Sequence, residues 1–242
     1  ALSHWPRVDL SLLPASRREA AARDLAAATA RQRFDLAGGS PLRALLLRLA
    51  GHEHVAILTV HHISADGWSL GVLLRELAAF YEAEPLPPLP VQYADFAVWQ
   101  RRWMAGETLE LELAYWRGQL MGAPPELELP TDRPRSAVQS LRGATRRLEL
   151  TPELTQELAA FARRSGSTLF MTVLAGFQAL LSRLGGQRDV VVGAPIAGRN
   201  HREIEGLIGC FVNVLALRAD LSTDPGLSAL LAQVRRTALD AY

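Results

Sequence analysis

The sequence predicts a mixed α and β fold. Runs of strand-like residues interleave with segments of helical spacing along the whole chain, and no repeat of fixed period imposes a solenoid. With 242 residues, 49% hydrophobic and 21% charged, the chain can bury one large core or two smaller ones.

The elements follow in order. After the turn-like DLSLLP, residues 15–33 carry strong helix formers with arginines and acids on one side, which predicts a surface helix. The Gly38-Gly39-Ser40-Pro41 break ends it. LRALLLRLA and HVAILTVHH are apolar runs of strand length joined across Gly51-His52-Glu53, the pattern of paired antiparallel strands. From Gly67 to Glu84, Leu70, Val72, Leu73, Leu77 and Phe80 recur near helical spacing until EPLPPLP stops them. VQYADFAVWQRRWMAG and TLELELAYWRGQLMG predict two more helices. Residues 121–142 are too rich in proline and polar residues to be regular and read as a linker or crossover. Beyond it GATRRLEL alternates like a strand. Thr151-Pro152 opens a helix with a cap and a first-turn proline, and Ser167 caps an apolar helix to Leu184. DVVVGAPIA and CFVNVLALRA predict two strands, and a helix from about Gly226 closes the chain.

Composition removes several chemistries. Net charge is +1 with no dense basic run, so the footprint of a nucleic-acid binder is missing. All 26 basic residues are arginine, which excludes a P-loop lysine, a Schiff-base lysine and a pyridoxal-phosphate anchor. The single cysteine, Cys210, can form no intrachain disulfide, and its default reading is a small buried hydrophobe. Residues 1–20 do not resemble a signal peptide, and no apolar run has membrane-spanning length, so a cytoplasmic location without membrane partners is expected.

The densest chemical signal is VHHISADGWSL at 60–70, which sets His61, His62, Asp66 and Gly67 at fixed spacing. The two histidines end a predicted strand, so their side chains should point to opposite faces, and spacing alone does not select one. An imidazole near its ordinary titration range can accept a proton from an amine or alcohol, or hold that nucleophile. Asp66 could orient an imidazole, pair with an arginine, or cap the helix that Gly67 opens, while Gly67 removes a Cβ from the path of backbone or substrate. His, His and Asp are also competent metal ligands, but adjacent strand histidines diverge, and His4, His52, His54 and His201 form no ligand pair. No Gly-x-Ser-x-Gly elbow, dinucleotide fingerprint or thiol beside a base is evident, so covalent catalysis lacks an obvious nucleophile.

HHISADGWS resembles the HHxxxDG signature of the condensation domains of nonribosomal peptide synthetases, relatives of chloramphenicol acetyltransferase. RFDLAGGSPLRALLLRL, YADFAVWQ at 93–100, GAPIAGRNHREIEG and IGCFVNVLALR at 208–218 resemble the same family in the same order, so the likeness spans nearly the whole chain. It implies a chloramphenicol acetyltransferase-like fold of two lobes with a tunnel between them, incomplete here at both ends. Residues 1–120 would be the later part of the first lobe, 121–142 the crossover and 143–242 the earlier part of the second. It further implies amide formation between two carrier-bound substrates, with His62 the catalytic histidine, His61, Asp66 and Gly67 its structural support, and Trp68, Ser69 and Asn213 lining the tunnel or lying near substrate. No cofactor or metal binds directly in this picture. The phosphopantetheine arms belong to upstream and downstream peptidyl carrier proteins, with an adenylation domain as neighbour and no nucleic acid or membrane as partner.

Within the same resemblance, Tyr93, Asp95 and Trp99 are packing residues, and Arg199 and Arg218 are solvent-facing or in structural ion pairs. The arginine that pairs with Asp66 would lie in an N-terminal motif this chain lacks, and Cys210 and Val214 stand where an aromatic and a threonine are usual. An epimerisation domain, using the same signature for proton exchange at an α-carbon, is the enzymatic alternative. A catalytically incompetent fragment or carrier-docking module is the other.

Overall fold

The computed structural model describes residues 5–134, 138 and 143–242. The described residues of Ala1–Arg102 and Ala197–Val212 form one compact unit, and those of Trp103–Ile196 and Asn213–Tyr242 form a second.

In the first unit, β1 (Arg7–Asp9) runs parallel to β2 (Leu42–Ala50), which pairs antiparallel with β3 (Glu53–Val60). The predicted hairpin thus forms, in register Leu42 to Val60, with an irregularity between Arg48 and Ala50. β1 falls within a stretch read from sequence as leading into a turn; three residues are too short to display alternation. The helix α1 (Ala15–Arg31) buries Ala22 against Leu10, Leu47 and Leu49, with Leu45, Val55 and Ile57 packed around them. The α1 side of β3 is therefore the face that carries Val55 and Ile57, a question the residue pattern left open. Next come α2 (Gly67–Tyr81) and α3 (Tyr93–Trp103).

The second unit begins with α4 (Glu107–Leu120), followed by irregular backbone from Met121. Gln187 fixes part of that stretch: its amide donates to the Glu126 carbonyl at 3.0 Å and accepts from the Glu128 N–H at 2.6 Å. Residues 135–137 and 139–142 of the predicted crossover lie outside the described residues, as do residues 1–4. The expected strand GATRRLEL is not formed: residues 143–150 have no regular structure, and Leu148 is 86% exposed. An alternating pattern becomes a strand only where an edge accepts its hydrogen bonds, and among the described residues this segment meets none.

Thr151 caps α5 (Pro152–Arg164) as predicted, its Oγ1 accepting the Leu154 N–H at 3.3 Å. The cap of α6 (Leu169–Gly185) is Thr168 rather than Ser167, because the Ser167 hydroxyl turns back to the Ala162 carbonyl. β4 (Asp189–Ile196) and β5 (Asn213–Asp220) pair antiparallel, and α7 (Leu227–Ala241) closes the unit. β5 starts at Asn213, not at Cys210 as the sequence pattern suggested, since residues 197–212 belong to the first unit. Leu215, Leu217 and Ala219 alternate inward from β5 onto Met171, Leu174 and Ala175 of α6 and Leu230, Leu231 and Val234 of α7. Arg218, on the opposite face, forms a bidentate pair with Asp189 at 2.8 and 2.7 Å and donates to the Gln119 and Met121 carbonyls. It is thus the structural ion pair expected. No single helix among the described residues is long and apolar enough to cross a membrane.

Candidate active site

The site is built on the turn between β3 and α2. β3 ends at Val60, so His61 and His62 lie just past the strand rather than on it; only the His61 N–H continues the ladder, donating to the Pro41 carbonyl at 2.8 Å. The turn then closes with Ser64 N–H on the His61 carbonyl at 3.0 Å. This corrects the expectation that strand alternation separates the two imidazoles.

Their environments separate them instead. The His61 ring meets the edge of Phe34 at 5.4 Å, and its Nδ1 accepts the Ile63 N–H at 3.1 Å. One of its two nitrogens is thereby committed to backbone. His62 is exposed; its Nδ1 stands 3.7 Å from the Cys210 sulfur, and its Nε2 has no partner among the described residues. Each ring thus has one engaged nitrogen among the described residues, and what sets His62 apart is that it is exposed while His61 is part-buried.

Asp66 holds the turn from below. As the cap of α2 its Oδ1 accepts the Ser69 N–H at 2.8 Å, and its Oδ2 accepts the Phe211 N–H at 3.0 Å. Its own N–H donates to the Gly209 carbonyl at 3.2 Å. The buried guanidinium of Arg199 completes the set: Nη2 reaches Asp66 Oδ1 at 3.2 Å and Ser69 Oγ at 2.9 Å, while Nη1 donates to the Ile204 and Leu207 carbonyls at 2.6 and 2.9 Å. The same guanidinium lies 4.0 Å from the centre of the Phe211 ring. Asp66 therefore does have an arginine in this chain. The expectation that its partner belongs to a missing N-terminal motif is wrong; the partner lies 133 residues downstream, in the loop after β4.

Ser69 is fully buried at the centre of this network. Its oxygen accepts from Arg199 Nη2 and from the Gly209 N–H at 3.0 Å, and its single proton is shared between Asp66 Oδ1 and the Gly209 carbonyl, both at 2.7 Å. A hydroxyl has one donor and two acceptor positions, so Ser69 has no capacity left over. Trp68 is half exposed, its indole N–H donating to the Glu205 carbonyl at 2.9 Å. Gly67 opens α2, and apart from its chain neighbours and its own helix backbone a Cβ there would meet no atom of the described residues within 4 Å. Asn213, at the start of β5 in the second unit, accepts the Val214 N–H at its own Oδ1 at 2.8 Å.

The segment 209–211 is clamped on both sides. Gly209 and Phe211 bond to Asp66 and Ser69, and the Tyr93 hydroxyl donates to the Cys210 carbonyl at 2.9 Å. Gly209 is required sterically, because a Cβ there would overlap the Tyr93 ring. Tyr93 and Phe96 pack on Phe211 at 5.1 and 4.7 Å, Asp95 accepts the Gln92 N–H at 2.8 Å, and Trp99 meets His201 edge-on at 5.2 Å. Tyr93 and Trp99 thus make the packing contacts that the resemblance implies, whereas Asp95 acts through a backbone hydrogen bond at the start of α3. Arg199 as the partner of Asp66, and Tyr93 as the anchor of Cys210, carry no local sequence signal; only the preceding Gly198, whose positive φ lets the chain pass close to the Phe211 carbonyl, marks a constrained loop.

Burial pushes the Asp66 carboxyl up, but the Phe211 and Ser69 N–H groups, the Ser69 hydroxyl and Arg199 together outweigh it and lower it to about 2. Since the ordinary value is 3.8, the carboxylate stabilises the fold above that pH and loses this contribution as pH falls towards 2. The amount is about 2 kcal/mol. Urea unfolding midpoints measured from pH 6 down to pH 2.5 should therefore fall more steeply for the native protein than for Asp66→Asn. Equal slopes would mean that Asp66 is not held this way.

His61, His62 and Asp66 do not converge, since the carboxylate oxygens are turned to Ser69, Phe211 and Arg199; among the described residues no three potential ligands gather. The arrangement offers one exposed imidazole, beside a thiol, on a turn fixed by a buried ion pair. That imidazole can accept or hold a proton.

A family model described as Condensation domain matches residues 4–242. A linear gramicidin synthase of Brevibacillus parabrevis is 52% identical over 242 residues, an alignment covering 98% of this chain and 3% of that protein. The X-domain in complex with OxyB from teicoplanin biosynthesis is similar in structure, with a TM-score of 0.84 at 32% identity over 98% of this chain and 53% of that one. The first condensation domain of the calcium-dependent antibiotic synthetase, solved with a substrate analogue, gives a TM-score of 0.76 at 26% identity over 98% and 55%. The chain thus spans about half the length of these solved chains.

Proposed function

The chain belongs to the condensation-domain family found in nonribosomal peptide synthetases and has its chloramphenicol acetyltransferase-like fold, and from that premise we propose that it forms amide bonds between two carrier-borne substrates. The observation that carries this reading is His62, an exposed imidazole with an open Nε2, held on a turn pinned by Asp66 and Arg199. The acceptor amine attacks the carbonyl carbon of the donor thioester. An N–C bond forms, the C–S bond breaks, the amine proton passes to or is held by His62 Nε2, and the carrier's thiol leaves. His61 and Asp66 position the turn, as does Ser69, which the resemblance places near substrate but which is fully buried with its hydroxyl committed to the turn, and Trp68 and Asn213 are substrate-proximal. The working unit has two lobes, to which 1–120 contributes the first and 143–242 the second, joined by 121–142, except that 103–120 group with the second compact unit and 197–212 return to the first. The substrates ride on phosphopantetheine arms of upstream and downstream peptidyl carrier proteins beside an adenylation domain, in the cytoplasm, and neither a metal nor a cofactor of its own takes part.

Gly67 gives this reading a clean check. An alanine methyl there crowds no side chain or distant backbone of the described residues, so Gly67→Ala should leave stability within about 0.5 kcal/mol. If Gly67 borders substrate, the same variant slows amide formation in a loaded-carrier assay while the unfolding curve stays in place. Unchanged turnover would remove Gly67 from the substrate path.

The teicoplanin relative, solved as a complex with OxyB, favours a second reading in which a domain of this fold serves as a docking module. The intact synthetase separates these readings when supplied with both loaded carriers. Dipeptidyl product on the downstream carrier supports condensation. Inversion of the α-carbon with a single loaded carrier would establish epimerisation instead, and carrier binding without either product would establish docking alone.

A further inference from the structure

We propose that Cys210 is a positioning residue for His62: its sulfur accepts the Nδ1–H and keeps the lone pair of the neutral imidazole on Nε2. This inference rests on the amide-forming reading above and extends it to a residue that reading does not use.

The backbone argues that the contact is built in. Residues 209 and 211 are bonded to Asp66 and Ser69 on either side, the Cys210 carbonyl is held by Tyr93, and Phe211 is stacked on Arg199. Cys210 therefore has little freedom of place, and Asp66, which fixes it, stands four residues beyond His62 in the same turn. The Sγ to Nδ1 distance of 3.7 Å falls within hydrogen-bonding range for sulfur. No other described group meets His62 Nδ1, whereas the corresponding atom of His61 already accepts a backbone N–H, which places the proton of that ring on Nε2. With its Nδ1–H directed at sulfur, His62 takes the tautomer opposite to that of His61.

The tautomer decides competence. With the proton on Nδ1 and directed at sulfur, Nε2 presents a lone pair to the attacking amine; with the proton on Nε2, the ring can only donate there. During transfer Nε2 takes the amine proton while Nδ1–H stays on sulfur, and the imidazolium then returns a proton from Nε2 to the departing thiolate. The Cys210 thiol is neither acylated nor oxidised.

The test is nitrogen NMR of the full-length protein with labelled histidine, with the His62 signals assigned by their loss in His62→Ala. The native protein should show a protonated Nδ1 and an unprotonated Nε2 for His62 at a pH where the ring is neutral. Cys210→Ala should move His62 toward the proton-on-Nε2 form and lower kcat about 2- to 10-fold at unchanged KM, and Cys210→Ser should restore part of both. A proton on Nε2 in the native protein, or a ring pattern untouched by Cys210→Ala, overturns the inference. If His62→Ala abolishes transfer while Cys210→Ala changes neither nitrogen shifts nor kcat, this inference fails and the functional reading stands. If His62→Ala transfers normally, the functional reading fails whatever the tautomer.

Discussion

Arg199→Ala lowers the unfolding free energy by about 3–5 kcal/mol, the cost of leaving a buried carboxylate without its partner. Both side chains of the pair are almost completely shielded from water, and Asp66 retains its N–H donors when the guanidinium is removed but not its counter-charge. The loss extends beyond one ion pair. Four acceptors use this guanidinium: Asp66, Ser69 and the carbonyls of Ile204 and Leu207. Arg199→Lys therefore recovers only part of the stability, since an ammonium on a single stem cannot serve two oxygens on each side of a fork. Asp66→Ala with Arg199→Ala costs less than the sum of the single variants, by about 0.5–3 kcal/mol, because neither charge is left stranded. Urea unfolding of the four variants checks this, and additive single effects would show that the two residues do not act on each other.

The second large effect falls on chemistry. His62→Ala lowers amide formation by about 10²- to 10⁴-fold, the range expected for loss of a group that moves a proton in the transition state. Its imidazole is exposed and takes no part in the buried network, so unfolding midpoints should stay close to native. His61→Ala should do the reverse. Removing its ring takes away the Phe34 contact and the acceptor for Ile63, loosening the turn, so stability falls and activity drops only as far as the turn is disturbed. This contrast separates a reacting imidazole from a supporting one.

The sequence displayed more of the fold than of the site. Helices were legible because caps and periodicity act over a few residues: Thr151-Pro152 marked α5 directly, and even the displaced cap of α6 fell on the adjacent Thr168. Strands were less legible because they need a partner. β2 and β3 were found through their shared turn, GATRRLEL alternated without an edge to join, and three-residue β1 finds its partner, β2, more than thirty residues away. At the site, the motif residues fall on one turn without converging, and strand alternation does not separate two histidines that lie beyond the strand. The arginine for Asp66 sat in plain view as Arg199. Nothing local distinguishes a guanidinium that folds back across 133 residues from one that faces water, since that depends on how residues 197–212 return to the first unit.

The central claim is that His62 is the reacting imidazole and that Asp66 and Arg199 only hold it in place. Single-turnover transfer from loaded carriers, run with His62→Ala and His61→Ala in the intact synthetase beside unfolding curves for both, tests this most directly. The predicted result is a fall of about 10²-fold or more with His62→Ala at native stability, and a smaller fall with His61→Ala that follows its loss of stability. Transfer by His62→Ala within a few-fold of native would contradict the account.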